Sequence, residues 1–219
     1  MILAAGYVVF DGLETLEASI RSIRSNVDHV IVSYQLISWS GTRASADLIP
    51  TLEDLKARGL IDHLIEFKEF TPHPLKTPNE VMAAKRFELA KRQGCLELAK
   101  SLGATHYMSM DADECYRADE LAWAKQQIEE TSLDATAVHY INYVTPTLHR
   151  GHSRWLIPFI YRITQASKHH TGQRIFRGVD PTRGLLDESY CKSRIFERDL
   201  ISMHHMEMVR KDLAQKYHA

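Results

Sequence analysis

The sequence predicts an α/β protein with a doubly wound, mostly parallel sheet that carries helices on both faces. Two observations lead to this class. Over the first 145 residues, short apolar runs rich in β-branched residues alternate with longer segments whose apolar residues recur at helical spacing. The chain also has 219 residues, of which 44% are hydrophobic and 25% charged, so it can bury a substantial core without disulfides.

The predicted elements alternate regularly along this first part of the chain. Gly59 and Gly103 stand where the second and third helices should end, as helix termini prefer. Asn79 is expected to cap the third helix, after a loop over 71–78 in which prolines exclude regular structure. The predicted strands are 6–10, 29–34, 63–67, 106–110 and 135–143, and the predicted helices are 13–25, 46–58, 79–102 and 118–131.

Beyond residue 145 the periodicity loosens. We expect a strand over 159–163, a strand over 201–203 and a closing helix over 207–217. No linker rich in glycine and serine divides the chain, so the sequence predicts one domain over 1–219.

Cysteine usage and the apolar segments indicate a cytoplasmic protein. The three cysteines form no Cys-x-x-Cys pair, so neither a disulfide framework nor a zinc knuckle is indicated. The N-terminus lacks the basic region and cleavage site of a signal peptide. The longest apolar stretch, 155–163, is far shorter than the ~20 residues that a membrane span needs.

Charge is distributed unevenly along the chain. Residues 1–147 contain 14 Lys and Arg against 21 Asp and Glu, a net charge of −7, whereas residues 148–219 contain 13 against 7, a net charge of +6. A basic C-terminal third suits an anionic ligand such as a diphosphate or a nucleic-acid backbone, although a solvated basic face would give the same count.

The most informative motif is Asp111-Ala-Asp113-Glu114, directly after an apolar strand. Ligands of α/β proteins bind at the carboxyl ends of parallel strands, and two alternating carboxylates can reach one hard cation there. The alternative is an acidic turn that caps the following helix. An EF-hand loop is excluded, because its sixth and twelfth positions would be Tyr116 and Ala122.

A second motif, His204-His205, stands at the end of the last predicted strand. One imidazole there could complete a metal site with the two aspartates, leaving positions for donor oxygens and water. Arg210 and Lys211 follow and could approach phosphates. A pair of ordinary surface or core histidines is the alternative.

With the acidic motif and the histidine motif in this order, the chain resembles the GT-A nucleotide-sugar glycosyltransferases, especially their compact family-2-like type. The resemblance extends over most of the chain, and its motifs agree in order and spacing. The segments that carry it are 7–20, Lys91-Arg92-Gln93-Gly94 with Ala99, Asp111-Ala-Asp113-Glu114 and the stretch from His205 to Arg210.

The resemblance implies a fold, a reaction and a set of roles. It implies a GT-A sheet with a nucleotide-sugar-binding half over 1–145 and an acceptor-binding, metal-completing half over 146–219. It implies transfer of a sugar, expected from a UDP-sugar, with Mn²⁺ or Mg²⁺ as cofactor. The implied positions are Asp11 near the nucleobase, Arg92 near the diphosphate, Asp111 at the ribose or the metal, and Asp113 and His205 at the metal.

Two departures from the family pattern affect donor recognition. Tyr34-Gln35 stands where the family has an aspartate after its second strand, and Arg92-Gln93 replaces an Arg-Asn pair. Base and ribose recognition are therefore the least defined part of the resemblance.

The acid–base residues are expected in the segment around Asp187 and Glu188. Inverting family-2 enzymes use a carboxylate in this region to deprotonate the acceptor hydroxyl, which is general base catalysis. An acidic pair that caps a helix is the alternative.

Two other functions compete with glycosyl transfer. The chain lacks Gly-x-Gly-x-x-Gly and Gly-Lys-Ser/Thr, which excludes the dinucleotide-binding and P-loop motifs. A sugar-phosphate nucleotidylyltransferase and a non-catalytic nucleotide-binding module remain as alternatives.

The acceptor is expected to be a saccharide or a small molecule, with DNA carrying a modified base as an alternative. The alternative depends on basic residues interleaved with aromatic ones, a pattern that suits phosphate contacts and base stacking. The residues concerned are Lys168, His169, His170, Arg174, Arg177, Arg183, Lys192, Arg194 and Arg198, with Trp155, Phe159 and Tyr161.

Overall fold

The computed structural model describes residues 1–38, 41–68, 78–171, 175–180 and 182–209, and the side chains of these residues other than 78–84 and 150–154. Within them the predicted α/β class is confirmed: a mostly parallel sheet is flanked by helices.

The helices form where apolar residues recur at helical spacing. In the first, Leu16, Ile20 and Ile23 are fully buried on one face, as the pattern predicts. Gly59 and Gly103 follow their helices with φ of 71° and 77°, a backbone conformation that glycine adopts without steric cost. The helices are α1 Leu13–Arg24, α2 Leu48–Ala57, α3 Pro78–Ser101 and α4 Ala118–Thr131.

The apolar runs form strands of one main sheet, and two further strands form a separate small sheet. The main strands are β1 Leu3–Val9, β2 His29–Tyr34, β3 His63–Glu66, β4 His106–Asp111, β5 Glu114–Cys115, β6 Ala135–Thr145, β7 Leu148–Arg162, β10 Ser193–Ile195 and β11 Ser202–His205. The small sheet pairs β8 Lys168–His169 with β9 Leu185–Leu186.

The main sheet has the strand order β3-β2-β1-β4-β7-β6-β11-β5, with β10 also paired to β6. The strands β3, β2, β1 and β4 are mutually parallel. β7 is antiparallel to both β4 and β6, so β6 runs in the same direction as β4. Because β11 pairs in parallel with β6, the carboxyl ends of β1, β4 and β11 lie at the same edge of the sheet.

Two cores form on opposite faces of the sheet, because successive strand residues point to opposite sides. One core contains the buried faces of α1, α2 and α4. The other contains α3, with Cys95, Leu96 and Ala99 packed against Ala4, Ile31 and Tyr107 of the strands. The prediction of helices on both faces is thereby confirmed.

Gly6 in β1 is required by the packing of α3. A Cβ atom there would lie 2.0 Å from the Tyr107 hydroxyl and 2.8 Å from Cβ of Cys95. We expect Gly6→Ala to lower the free energy of unfolding by about 1–3 kcal/mol, the usual cost of overpacking. The control is Gly94→Ala, since nothing lies within 4 Å of a Cβ in that helical position. It should stabilise the protein by up to about 1 kcal/mol through helix propensity. Urea unfolding of both variants measures these changes, and equal effects would contradict the packing argument.

Three predictions of secondary structure need correction. α3 begins at Pro78, so Asn79 lies inside the helix and does not cap it; proline is favoured in the first helical turn because its missing N–H needs no partner there. The strand predicted over 159–163 is part of the longer β7, which forms a hairpin with β6. Residues 207–208 form a turn where a helix was predicted. The rest of that predicted helix, from residue 210, lies outside the described residues, as does the predicted loop over 71–77.

No helix in the described part of the chain combines the length and the apolar composition needed to cross a membrane.

Candidate functional site

A cleft of about 560 Å³ opens at the edge of the sheet where β4 and β11 end. Asp111, the last residue of β4, lines it together with Asp113 and with His205, the last residue of β11. The carboxyl edge of parallel strands is where α/β proteins bind ligands, and here the topology brings residues almost one hundred positions apart to one place.

The Asp111–Glu114 turn is fixed to the end of β11 by backbone contacts. Glu114 begins β5, which pairs antiparallel with β11 so that Glu114 lies opposite His205. The Met206 amide donates a hydrogen bond of 2.7 Å to the Asp113 carbonyl. The two sequence motifs are therefore held together by the sheet itself.

Asp113 and His205 form the pair that faces the cleft. His205 Nε2 lies 3.6 Å from Asp113 Oδ1, and the Asp113 side chain is buried. His205 Nδ1 lies 3.0 Å from Asn142 Oδ1, an acceptor that favours the hydrogen on Nδ1 and leaves Nε2 for the cleft. Burial lowers the pKa of His205, but the hydrogen bond and charge of Asp113 outweigh it and raise the pKa above its ordinary value.

Asp111 is bound by two arginines. Arg92 Nη2 on α3 donates to Asp111 Oδ1 at 2.9 Å, and Arg183 Nη2 donates to Asp111 Oδ2. Arg92 is buried and also bonds Glu88 at 2.8 Å and Ser109 at 2.6 Å. Burial acts to raise the pKa of Asp111, but the two guanidinium groups hold it below its ordinary value.

Arg183 is the centre of this ionic cluster. Its side chain is only 3% exposed, and it contacts Asp111, Glu114 at 2.7 Å and Asp180 at 3.3 Å. Asp111 and Glu114 lie in the turn after β4 and Asp180 lies three residues before the arginine, so the arginine connects the segment around residue 180 to that turn. Burial raises the pKa of Glu114 although Arg183 opposes that change.

The cleft is acidic. One arginine, Arg183, is found among the described residues that line it, and it already pairs with carboxylates. Six carboxylates line the same cleft: Asp11, Asp111, Asp113, Glu114, Asp180 and Glu207. An anionic ligand therefore needs a cation, or residues beyond those described, to bind there.

No group of three or more His, Cys, Asp or Glu side chains is arranged to hold a metal ion within the described residues. In this arrangement both carboxylate oxygens of Asp111 are engaged by arginine. Asp113 and His205 are the two adjacent side chains that combine a hard oxygen with an imidazole nitrogen at the cleft.

The structure also separates the two neighbouring histidines. His204 points to the opposite side of β11, where its Nδ1 lies 2.9 Å from the Tyr143 hydroxyl. His205, not His204, lines the cleft.

The other predicted donor-binding residues have different positions. Asp11 lines the cleft at the end of β1, and also a neighbouring pocket of about 430 Å³. Arg92 lies behind Asp111, where it contacts that carboxylate and does not line the cleft. Arg210 and Lys211 lie outside the described residues.

Asp187 and Glu188 are not among the residues that line the cleft. Asp187 is buried and accepts hydrogen bonds of 2.6 Å from the hydroxyls of Thr164, Ser167 and Ser189. Burial acts to raise its pKa, but these hydroxyls lower the pKa well below the ordinary value, which makes the carboxylate a weak base. Its contacts fix the surrounding loops, and Glu188 is exposed.

Most of the residues predicted to contact DNA lie away from the cleft. Arg183 and Trp155 line it, whereas Phe159, Tyr161 and His169 are buried in the protein. The two aromatic residues belong to the buried part of β7, so they cannot stack on a base. Arg174 lies outside the described residues, and Lys168, His170, Arg177, Lys192, Arg194 and Arg198 do not line the cleft.

Sequence reasoning missed the structural importance of Arg183 and the position of Trp155. Arg183 binds partners 69 and 72 residues earlier in the chain, and no local pattern reports such a contact. Trp155, which the sequence suggested only as one of three aromatic residues that could stack on a base, lies at the cleft with 60% of its surface exposed.

The chain matches no protein-family model and no curated protein. Among solved structures it is similar to residues 1–349 of S. aureus TarS, with a TM-score of 0.45 and 11% identity over 68% of this chain and 38% of that one. The complexes of TarS 1–349 with UDP and with UDP-GlcNAc give TM-scores of 0.47 and 0.46 at 11% and 12% identity. The match therefore spans less than two-fifths of those chains, and a likeness at this level does not establish a shared activity.

Proposed function

We propose that the chain is a metal-dependent glycosyltransferase that moves a sugar from a nucleotide-sugar donor, with UDP-sugars as the first donors to test. The observation that carries the proposal is the meeting of Asp113 and His205, 3.6 Å apart, in a cleft at the carboxyl edge of the sheet. The sequence resemblance described above points to the same residues independently of their placement.

The charge of the cleft supports the need for a cation. A diphosphate carries negative charge into a site whose described lining residues include six carboxylates and one paired arginine. A divalent cation on Asp113 and His205 would neutralise the diphosphate as it leaves. Those two side chains offer an oxygen and a nitrogen ligand, which fits Mn²⁺ or Mg²⁺ if the donor and water provide the remaining ligands.

The other residues of the cluster hold this site in place. Asn142 orients the imidazole of His205, and Arg92 and Arg183 fix both oxygens of Asp111 at the end of β4. Asp111 is then positioned to accept a hydrogen bond from the donor. Asp11 lines both the cleft and the neighbouring pocket of about 430 Å³.

The transfer itself needs a base on the acceptor side. The acceptor oxygen bonds to the anomeric carbon, the bond from that carbon to the diphosphate oxygen breaks, and the diphosphate leaves with the electron pair. The hydroxyl proton must pass to a carboxylate in the cleft. Asp187 and Glu188 were predicted for this role, but Asp180 lines the cleft and they do not, so we assign the role to Asp180 on its position. Burial acts to raise the pKa of Asp180, but Arg183 and Arg92 lower it, so the direction of the pKa shift is the same for Asp180 and Asp187 and does not separate them.

The proposal is tested by incubating the purified chain with a panel of nucleotide sugars and Mn²⁺. We expect a raised melting temperature with the matching donor and slow release of free sugar and nucleoside diphosphate, both abolished by EDTA. A nucleotidylyltransferase would instead form nucleotide sugar and pyrophosphate from a nucleoside triphosphate and a sugar phosphate.

The outcomes separate the alternatives. Stabilisation by nucleotides with no turnover of any donor would indicate a binding module and overturn the proposal. Turnover that persists in EDTA would overturn its metal dependence.

A further inference from the structure

Among the described residues that line the cleft, Trp155 is the large apolar side chain with the greatest solvent exposure. It is 60% exposed and lies on β7, at the point where that strand forms one wall of the cleft. Its neighbour Leu156 is buried, forms a bridge with Val179 and donates a hydrogen bond of 3.0 Å to the Gly178 carbonyl. The backbone beside the indole is therefore fixed against residues 178–179.

Gly178 lies beside the indole ring. A methyl group at this glycine would lie 3.8 Å from Cε3 of Trp155, which places the six-membered part of the indole beside the glycine backbone. The adjacent residues Val179 and Asp180 also line the cleft. An exposed indole and the Asp180 carboxylate thus line the same cleft.

The charge of this cleft limits what can stack on Trp155. With six carboxylates and one paired arginine among its described lining residues, it repels a polyanion. A neutral sugar meets no such repulsion. The C–H groups on one face of a pyranose are apolar and carry partial positive charge, which suits the negative face of an indole. Its hydroxyl groups can donate to the carboxylates nearby.

We propose that Trp155 is the stacking platform for the acceptor, and that the acceptor is a neutral pyranoside. The proposal rests on the proposed function, because it assigns the second substrate of that site. Trp155 binds the apolar face of the sugar, and this orientation directs a hydroxyl group of the acceptor towards Asp180. Trp155 is a binding residue in this scheme and takes no part in proton transfer.

Saturation-transfer difference NMR on the full chain tests this proposal. The probes are methyl β-pyranosides of glucose, galactose and N-acetylglucosamine and their β-linked disaccharides, with and without UDP and Mn²⁺. At least one probe should bind, with the strongest transfer to the ring C–H protons of one face. Trp155→Ala should weaken its binding by about tenfold or more, and Trp155→Phe by no more than about threefold.

A matched variant controls for the loss of an exposed apolar side chain. Leu148→Ala removes a residue of β7 that is 59% exposed and does not line the cleft, so saccharide binding should not change. Three outcomes overturn the proposal: no saccharide binds in either condition, Trp155→Ala binds as the wild type does, or single-stranded DNA binds through Trp155 at physiological salt.

The failure of this proposal can be distinguished from failure of the proposed function. Donor hydrolysis and saccharide binding are measured separately on the wild type, and Leu148→Ala, which lies outside the cleft, should hydrolyse the donor with water at the wild-type rate. If the wild type hydrolyses donor but binds no saccharide through Trp155, only the acceptor assignment fails. If it binds saccharide without hydrolysing any donor, the proposed function fails and the stacking platform remains.

Discussion

Replacing Arg183 by methionine is expected to lower the free energy of unfolding by about 3–5 kcal/mol, the usual cost of removing one partner from a buried ion pair. The reason is that Glu114 would keep a buried carboxylate without the guanidinium that contacts it, and Asp111, which is partly exposed, would keep only Arg92 as its arginine partner. Arg183→Lys should be intermediate, since lysine keeps the charge but cannot reproduce the forked contacts. Urea denaturation monitored by circular dichroism gives the free energies.

Arg117 offers a matched control for this experiment. It also bridges two carboxylates, Asp119 at 3.0 Å and Glu120 at 3.1 Å, but its side chain is 61% exposed. Arg117→Met should therefore cost less than about 1 kcal/mol. The double variant Arg183→Met with Glu114→Gln should recover part of the loss, because it removes one uncompensated charge. A cost for Arg183→Met no larger than that of the control would show that the buried cluster does not stabilise the fold.

Asp113→Asn should lower turnover of the nucleotide-sugar donor by about a hundredfold to a thousandfold, in the range found when one charge-stabilising group is removed. The amide keeps the shape of the side chain but loses the negative charge that a hard cation needs. Initial rates of donor hydrolysis over a range of Mn²⁺ concentrations measure the change, and the Mn²⁺ concentration for half-maximal rate should rise.

The same variant is expected to melt at the same temperature as the wild type or higher. Asp113 is buried beside other carboxylates, so removing its charge relieves repulsion in the absence of metal, and this gain offsets the loss of its attraction to His205. Asp199→Asn, at an exposed position away from the cleft, should change neither rate nor melting temperature. A normal rate for Asp113→Asn at saturating Mn²⁺ would remove Asp113 from the metal site.

The parts of the fold that sequence reasoning identified are those encoded by local periodicity. The helix α4 and the strand β2 begin and end at the predicted residues, because their apolar spacing is regular and their ends carry the expected turn residues. The antiparallel β7 was only partly predicted. Its pairing with β6 involves register shifts, so its apolar residues do not follow a simple alternation.

The candidate site likewise contains residues that were predicted correctly and residues whose role only the structure shows. Strand-end position and residue type selected Asp111, Asp113 and the His204-His205 pair, and the family resemblance added Asp11 and chose His205. Asp11, Asp111, Asp113 and His205 all line the cleft. The resemblance also pointed to Asp187, whose carboxylate binds the hydroxyls of Thr164, Ser167 and Ser189. A carboxylate in a loop has the same appearance in the sequence whether it faces a substrate or fixes the loop.

The sequence by itself determined the α/β class, most of the strand and helix positions, and the acidic motif at the end of β4. These features depend on residues that are close along the chain, where periodicity and turn preferences act. Only the tertiary structure decided that His205 meets Asp113, that Arg183 neutralises Asp111 and Glu114, and that Trp155 stands exposed at the cleft. These contacts arise from strand order and from burial of charge between distant segments, and the free energy of such contacts depends on positions in space that no local pattern specifies.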